Sequence, residues 1–209
     1  MKTSEEEQME LQIVRLEEEQ IQQLYRCQMT EDFPPDELRP YPLIRSLMNE
    51  GIYEAYAAFA EGEPAAYACF AVLSEENCRT ALLDYFAVVP EMRGKGIGTV
   101  FLKKLITGHV RTDCLLIENE SPETSPDPSE INMRRRRIAF YERCGAIRTG
   151  VRSHLYHVDY DILVVPASGN KAGKRIPDDR EVFRLTDHVY HRILPEDWFP
   201  SLVSLSIHS

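Results

Sequence analysis

Two periods of apolar residues alternate along this chain, and the switches between them predict its elements. Leu11, Ile13, Val14 and Leu16 give Met9–Leu16 strand character after an acidic leader, whereas Ile21, Leu24 and Tyr25 take helical spacing over Glu17 to Cys27. The cluster Phe33-Pro34-Pro35-Asp36 breaks that helix, and Tyr41–Met48 resumes a short one. Ile52–Ala60 and Pro64–Leu73 read as strands joined by the turn Glu61-Gly62-Glu63, with Ala81–Val89 as the next strand. Thr99–Val110 is helical and Cys114–Asn119 a short strand. The polar, proline-rich Ser121–Ser129 that follows is irregular, since proline fixes φ and removes a donor. A helix over Glu130–Cys144 and strands at Ala146–Gly150 and Tyr160–Val165 complete the order βααβββαβαββ. The chain is thus a mixed α/β (α+β) protein with about seven strands.

Beyond Pro166 the pattern changes. Ala167–Asp179 reads as a linker, and Arg180–Leu194 as an amphipathic helix with Val182, Phe183, Leu185, Val189, Tyr190, Ile193 and Leu194. Trp198, Phe199, Leu202, Val203 and Leu205 follow it. We therefore divide the chain into a main domain (1–166), a linker (167–180) and a C-terminal helical extension (181–209). So much apolar surface must be covered, first by the sheet of its own chain, next by a second subunit in a homodimer, last by covering a cleft.

Composition narrows the class. A chain of 209 residues, 43% hydrophobic and 28% charged, suits one globular domain. No basic stretch followed by an apolar run opens the chain, and no apolar run approaches the roughly 18 residues of a membrane span, so a soluble, cytoplasmic protein is expected. Five cysteines (27, 69, 78, 114, 144) show no paired spacing, which fits reduced thiols, with Cys69 and Cys114 in apolar runs and Cys144 the one that a helix end would expose. The histidine pairs 154/157 and 188/191 lack a partner at ligand spacing, and no metal is expected. A net charge of −10 disfavours nucleic acid, although seven arginines (134, 135, 136, 137, 143, 148, 152) stand against the single acid Glu142 between Ile131 and Arg152.

The chemistry concentrates at Leu83–Thr99. An apolar strand feeds Arg93-Gly94-Lys95-Gly96-Ile97-Gly98 and then a helix, so backbone N–H groups point outward beside cationic side chains, an arrangement that suits phosphate. The spacing is neither that of a nucleoside-triphosphate loop nor Gly-x-Gly-x-x-Gly. It fits Gln/Arg-x-x-Gly-x-Gly/Ala, and here the chain resembles the GNAT superfamily of acetyl-coenzyme A-dependent N-acetyltransferases. Phe140-Tyr141-x-x-x-Gly145, closing the helix that begins near Glu130, resembles that family's second cofactor segment. The likeness extends from about Leu11 to about Pro166. It departs from the pattern at Arg134 and Arg137, where relatives carry Asn and Ala, and at Ala146, where many carry Phe.

The resemblance implies a mixed sheet with helices on both faces, splayed between Ala81–Val89 and Cys114–Asn119. Acetyl-coenzyme A would enter there as co-substrate, its pantetheine arm on the main chain of Val88 and Val89, its pyrophosphate on Arg93, Gly94, Lys95, Gly96, Ile97, Gly98 and Thr99. Tyr141 matches the family's tyrosine near the sulfur and becomes the candidate acid. Strand alternation puts Asp84 with Phe86 and Val88 on one face, and Glu118 with Glu120 on one face of the neighbouring strand, so each strand can aim an acid at a common pocket. Glu118 is the first candidate base, since it ends the apolar run Leu115-Leu116-Ile117 where burial raises a carboxyl pKa; Asp84 is the second. The expected activity is acetyl transfer to a primary amine of a small molecule or peptide, by direct transfer in a ternary complex, with a cationic acceptor favoured by the acidic surface. A non-catalytic acyl-coenzyme A sensor, and an RNA-associated protein using Arg134–Arg137, are the alternatives.

Overall fold

The computed structural model describes residues 10–35, 37–75, 78–166, 176–199 and 201–208. Strand β1 (Leu11–Arg15) leads into α1 (Glu18–Leu24), which runs on through a π-helical turn at Tyr25–Met29 and a last turn at Thr30–Asp32. Pro34 and Pro35 follow directly and forbid its continuation. After α2 (Tyr41–Asn49) come β2 (Tyr53–Ala60), β3 (Glu63–Glu75) and β4 (Cys78–Val88), three antiparallel neighbours. A 3₁₀ turn at Pro90–Met92 passes into α3 (Ile97–Lys104), which loosens to a π-helical turn at Leu105–His109 before β5 (Cys114–Glu120). Asp127 caps α4 (Pro128–Arg143) by accepting from the Ser129 N–H at 2.8 Å. The hairpin β6 (Ile147–Leu155) and β7 (Val158–Pro166), then α5 (Asp179–Ile193) and β8 (Val203–Ile207), complete the chain.

Among the described residues eight strands join one sheet in the order β1-β2-β3-β4-β5-β7-β6-β8, and only β4 and β5 run parallel there. The helices sandwich it. On one face α3 and α4 bury Ile97, Phe101, Leu102 and Ile138 against Ala81, Leu83, Leu115 and Ile117. On the other, α1, α2 and α5 bury Ile21, Ile44, Leu47, Val182, Leu185 and Val189 against Leu82, Leu116, Ile162 and Val164. Each face holds alternate residues of the same strands, the reason the central strands read as unbroken apolar runs.

Where expectation and structure differ, long-range pairing decides. The sheet has eight strands, because Val203, Leu205 and Ile207 alternate with Ser204 and Ser206 and pair with β6, adding a strand to the helix of the tail. The strand expected at Ala146–Gly150 runs on to Leu155, its polar residues alternating with buried Val151 and Ser153. Gly150 lets three elements meet: its N–H donates to Asp179 Oδ1 at 2.9 Å, its carbonyl accepts from His208 N at 2.7 Å, and a Cβ there would stand 2.4 Å from the His208 carbonyl oxygen. Of the expected linker 167–180, residues 167–175 lie outside the described residues, as do 1–9. Among the described residues no helix is long and apolar enough to cross a membrane.

Helix α5 is packed into the same core as α1 and α2, so it should unfold with them. We expect Leu185→Ala to cost roughly 2–5 kcal/mol in one cooperative urea transition. A separate early transition, with the main one unmoved, would show that α5 is an independent appendage.

Candidate active site

Strands β4 and β5 pair only from Thr80↔Cys114 to Leu83↔Ile117. Beyond that point β4 stays with β3 as far as Ala66↔Val88, and β5 stays with β7 as far as Glu120↔Tyr160, so a gap opens between them. The Val89 N–H donates to the Ala65 carbonyl at 3.0 Å, which makes Val88↔Ala66 a non-hydrogen-bonded pair and turns the main-chain groups of Val88 and Phe86 toward the gap. The Val88 carbonyl accepts from Arg93 Nε at 2.9 Å, leaving its N–H as a donor for an occupant. Val89 differs from expectation. Its N–H is used by Ala65 and its carbonyl accepts from Met92 N at 2.9 Å, so only Val88 of the two offers main chain to a ligand.

At the open end of the gap lies the glycine turn. Gly94 and Gly96 adopt φ of +77° and +79°, the left-handed region where side chains are strained. The first bonds of α3 are those from Thr99 and Val100 N–H to the Gly96 carbonyl, at 3.1 and 3.2 Å. Among the described residues the N–H groups of Gly94, Lys95, Gly96, Ile97 and Gly98 meet no acceptor, which leaves five donors at a helix start. Thr99, with its N–H spent inside the helix, is not one of them. Ile97 contributes main chain only, its side chain being buried in the core. A Cβ on Gly98 would lie 3.2 Å from Val88 Cγ2 and 3.4 Å from Phe140 Cε2, so this glycine lets α3, β4 and α4 converge. Arg93 folds back, its Nη2 3.5 Å from Asp32 Oδ1, while the exposed Lys95, its Nζ 3.9 Å from Met92 Sδ, is in no carboxylate ion pair among the described residues.

The closed end carries the acids. A β-bulge sets Cys69 opposite Tyr85 and Phe70 opposite Leu83, leaving Asp84 unpaired between them. The extra residue breaks the alternation read from sequence: Phe86 and Val88 face α3 and α4, whereas Asp84 turns to the opposite face. There Tyr53 Oη donates to Asp84 Oδ2 at 2.6 Å and Arg39 Nη2 lies 3.4 Å from Oδ1, both ends of this ion pair being largely buried. Glu118, the residue after Ile117, lies on the same face as Asp84, accepts a hydrogen bond from Tyr190 Oη, and is held up to a pKa of about 7, chiefly by burial. Glu120 leaves it and turns to Arg134 and Arg137, each 3.4 Å away.

Tyr141 is buried on the α3/α4 face, beside Phe140 and Cys144. Burial pushes its phenol up to about 12, so it remains protonated throughout the neutral range. The structure therefore brings Asp84 and Glu118 together on one face and puts Tyr141 on the other, with the gap opening through the sheet between the faces.

Sequence reading missed the residues that hold the acids. Arg39 is fixed by its N–H to Tyr85 Oη at 2.7 Å and by Nη1 to the Ile193 carbonyl at 2.6 Å, from partners 46 and 154 positions away. Tyr53 is 31 residues from Asp84, and Tyr190 is 72 from Glu118. No local periodicity carries such contacts; an arginine between the proline break and the next helix, and a tyrosine on a helix's apolar stripe, are the traces they leave. Four of the seven clustered arginines are spent in ion pairs: Arg134 and Arg137 on Glu120, Arg148 on Glu142, Arg152 on Glu123 and Asp161. Cys144 is buried, not exposed, and burial raises its thiol pKa. Among the described residues no three His, Cys, Asp or Glu side chains gather where they could hold a metal.

The model of the acetyltransferase (GNAT) family matches residues 18–146. A putative GNAT-family acetyltransferase from Bacteroides thetaiotaomicron superposes with a TM-score of 0.64 at 20% identity, over 87% of this chain and 97% of that one. The ribosomal-protein-S18-alanine N-acetyltransferase from Escherichia coli gives 0.56 at 21% identity, over 80% and 100%. Spermidine N-acetyltransferase from Vibrio cholerae, solved with CoA and spermine, gives 0.54 at 12% identity, over 76% and 96%. These similarities concern the fold. No curated protein matches the chain.

A carboxyl raised from its ordinary 4.5 to about 7 binds a proton in the native state that the unfolded state has lost. Its contribution therefore lowers stability as pH rises from about 4.5 to 7, by roughly 3 kcal/mol at most. The pH slope of urea stability should flatten over that window in Glu118→Gln; parallel slopes for both proteins would contradict the shift.

Proposed function

Because the chain belongs to the acetyltransferase (GNAT) family, we propose that it moves an acetyl group from acetyl-coenzyme A to a primary amine of a small molecule or peptide, directly within a ternary complex. One observation carries this reading. The gap past Leu83 and Ile117 has free amides at its open end and carboxylates at its closed end.

Each part has a matching chemical task. The five outward N–H groups of 94–98, with Lys95, suit a pyrophosphate, since a helix start favours negative charge. The N–H of Val88 suits an amide carbonyl of an extended arm, or the oxygen of the thioester as it gains charge. An amine attacks only when neutral, and Glu118, tuned near neutral pH, takes its proton. The C–N bond forms as the C–S bond breaks, and Tyr141, on the opposite face, gives its proton to the departing thiolate. Asp84 acts differently, being locked to Arg39 and Tyr53; it supplies negative potential instead of taking the proton.

Charge selects the acceptor class. Two acids against one arginine at the closed end, on a chain of net charge −10, favour a cationic amine such as a polyamine, amino sugar or basic amino acid. A sensor that only binds an acyl-coenzyme A has no use for a carboxyl tuned in this way. The five unbridged cysteines support a reducing compartment such as the cytosol.

Gly96→Val puts a β-branched residue into left-handed backbone, so coenzyme A affinity by calorimetry should drop more than tenfold while the circular dichroism spectrum stays native. Unchanged affinity would contradict the placement. Tyr141→Phe should lower kcat for acetyl transfer across an amine panel by about 10²-fold or more, with coenzyme affinity retained. Equal turnover would remove Tyr141 from the mechanism.

A further inference from the structure

Helix α5 lies wholly beyond the stretch that the family model matches, yet it reaches both acids of the site, Glu118 directly and Asp84 through Arg39. Tyr190 Oη donates to Glu118 Oε1 and stands 2.8 Å from Ser153 Oγ of β6. Three residues on, the Ile193 carbonyl accepts from Arg39 Nη1 at 2.6 Å, and the same guanidinium faces Asp84 Oδ1 at 3.4 Å. A spacing of three puts both contacts on one helical face.

Tyr190 is 1% exposed, in a position where a phenylalanine would fill the space as well. A buried phenol is costly without partners, so the hydroxyl is retained for what it binds. A carboxylate offers acceptor sites on two oxygens. Tyr190 occupies Oε1, and among the described residues Oε2 accepts no hydrogen bond.

We propose that Tyr190 is a positioning residue for acetyl transfer. Its hydroxyl, steadied by Ser153, fixes the Glu118 carboxyl so that the second oxygen meets the incoming amine, and α5 is thereby part of the acceptor site. This rests on the reading of Glu118 as the base. Among the described residues four groups act on the Glu118 carboxyl, Tyr190 from α5, Tyr160 from β7, Asp84 from β4 and Arg39 from the segment before α2, while Ser153 from β6 faces the Tyr190 hydroxyl. Burial and Asp84 favour the protonated acid, whereas the bond from Tyr190 and the charge of Arg39 favour the carboxylate. Tyr190→Phe keeps the packing and removes one of the two interactions that stabilise the charged form.

The test combines two readouts on the full chain. Protein labelled with ¹³C at glutamate Cδ, with Glu118 assigned through Glu118→Gln, reports the titration directly. The pH profile of kcat/KM for a primary amine turned over by the wild type reports the chemistry. In Tyr190→Phe we expect the Glu118 pKa and the acid limb of the profile to rise together by about one unit, the order of a charge-assisted bond. At pH 7, kcat/KM should fall severalfold or more while coenzyme affinity holds. Ser153→Ala should shift both the same way by less, and it decides the matter should Tyr190→Phe fail to fold. An unmoved titration in the folded variants overturns the proposal. A moved titration with an unmoved rate profile supports the hold of Tyr190 on Glu118 and overturns Glu118 as the base.

Discussion

Everything about the site follows from where a single parallel pairing stops. Strands β4 and β5 share only four residue pairs and then diverge, each held by its other neighbour. Backbone groups in the middle of a sheet are left without a partner strand, and such groups are costly when buried unpaired. A sheet can keep an opening of this kind when something else supplies the hydrogen bonds. Val88 turns its N–H into the opening, and Phe140 and Val88 close on Gly98 at its mouth, so the same few residues shape the gap and present donors to it.

The bulge at Asp84 is the second consequence. Without it, strict alternation would carry Asp84 to the face of Phe86 and Val88, under α3 and α4. With it, the carboxylate joins Glu118 on the face of α1, α2 and α5. A largely buried ion pair such as Arg39–Asp84 adds little net stability, since removing two charges from water consumes most of the attraction. Its effect is geometric. Arg39 ties the segment before α2, the bulge in β4 and the end of α5 into one arrangement around the closed end of the gap.

The element order and the glycine turn were legible because both are local: period-two and helical spacings, and a Gly-x-Gly-x-Gly run between a strand and a helix. The bulge was not. An extra residue in one strand is defined by its partner's register, which a single run of residues does not encode. The same holds for Arg39, Tyr53 and Tyr190, whose partners lie 31 to 154 positions away. The pairing of the arginine cluster was hidden for the opposite reason. Between Ile131 and Arg152 there is one acid, but folding brings Glu120, Glu123 and Asp161 to the cluster from other elements, and Glu130 adds a partner one turn earlier on α4. β8 stood in plain alternation, Val203-Ser204-Leu205-Ser206-Ile207, and was hidden by its place after a helix instead of beside another strand.

The separation of the candidate acid from the candidate base by the thickness of a sheet has a chemical logic. An amine must lose a proton and a thiolate must gain one, and two titrating groups in contact would exchange that proton with each other. Here Tyr141 sits in the α3/α4 core, raised to about 12, and Glu118 sits on the α5 face, raised to about 7. Both shifts come first from burial, yet they act oppositely on readiness. Burial of the phenol fixes it as a donor across the neutral range, whereas burial of the carboxyl brings it to the pH where it can accept and release. The gap between β4 and β5 begins where their pairing ends; in the mechanism we propose, a thioester lying there presents its carbonyl carbon to one environment and its sulfur to the other.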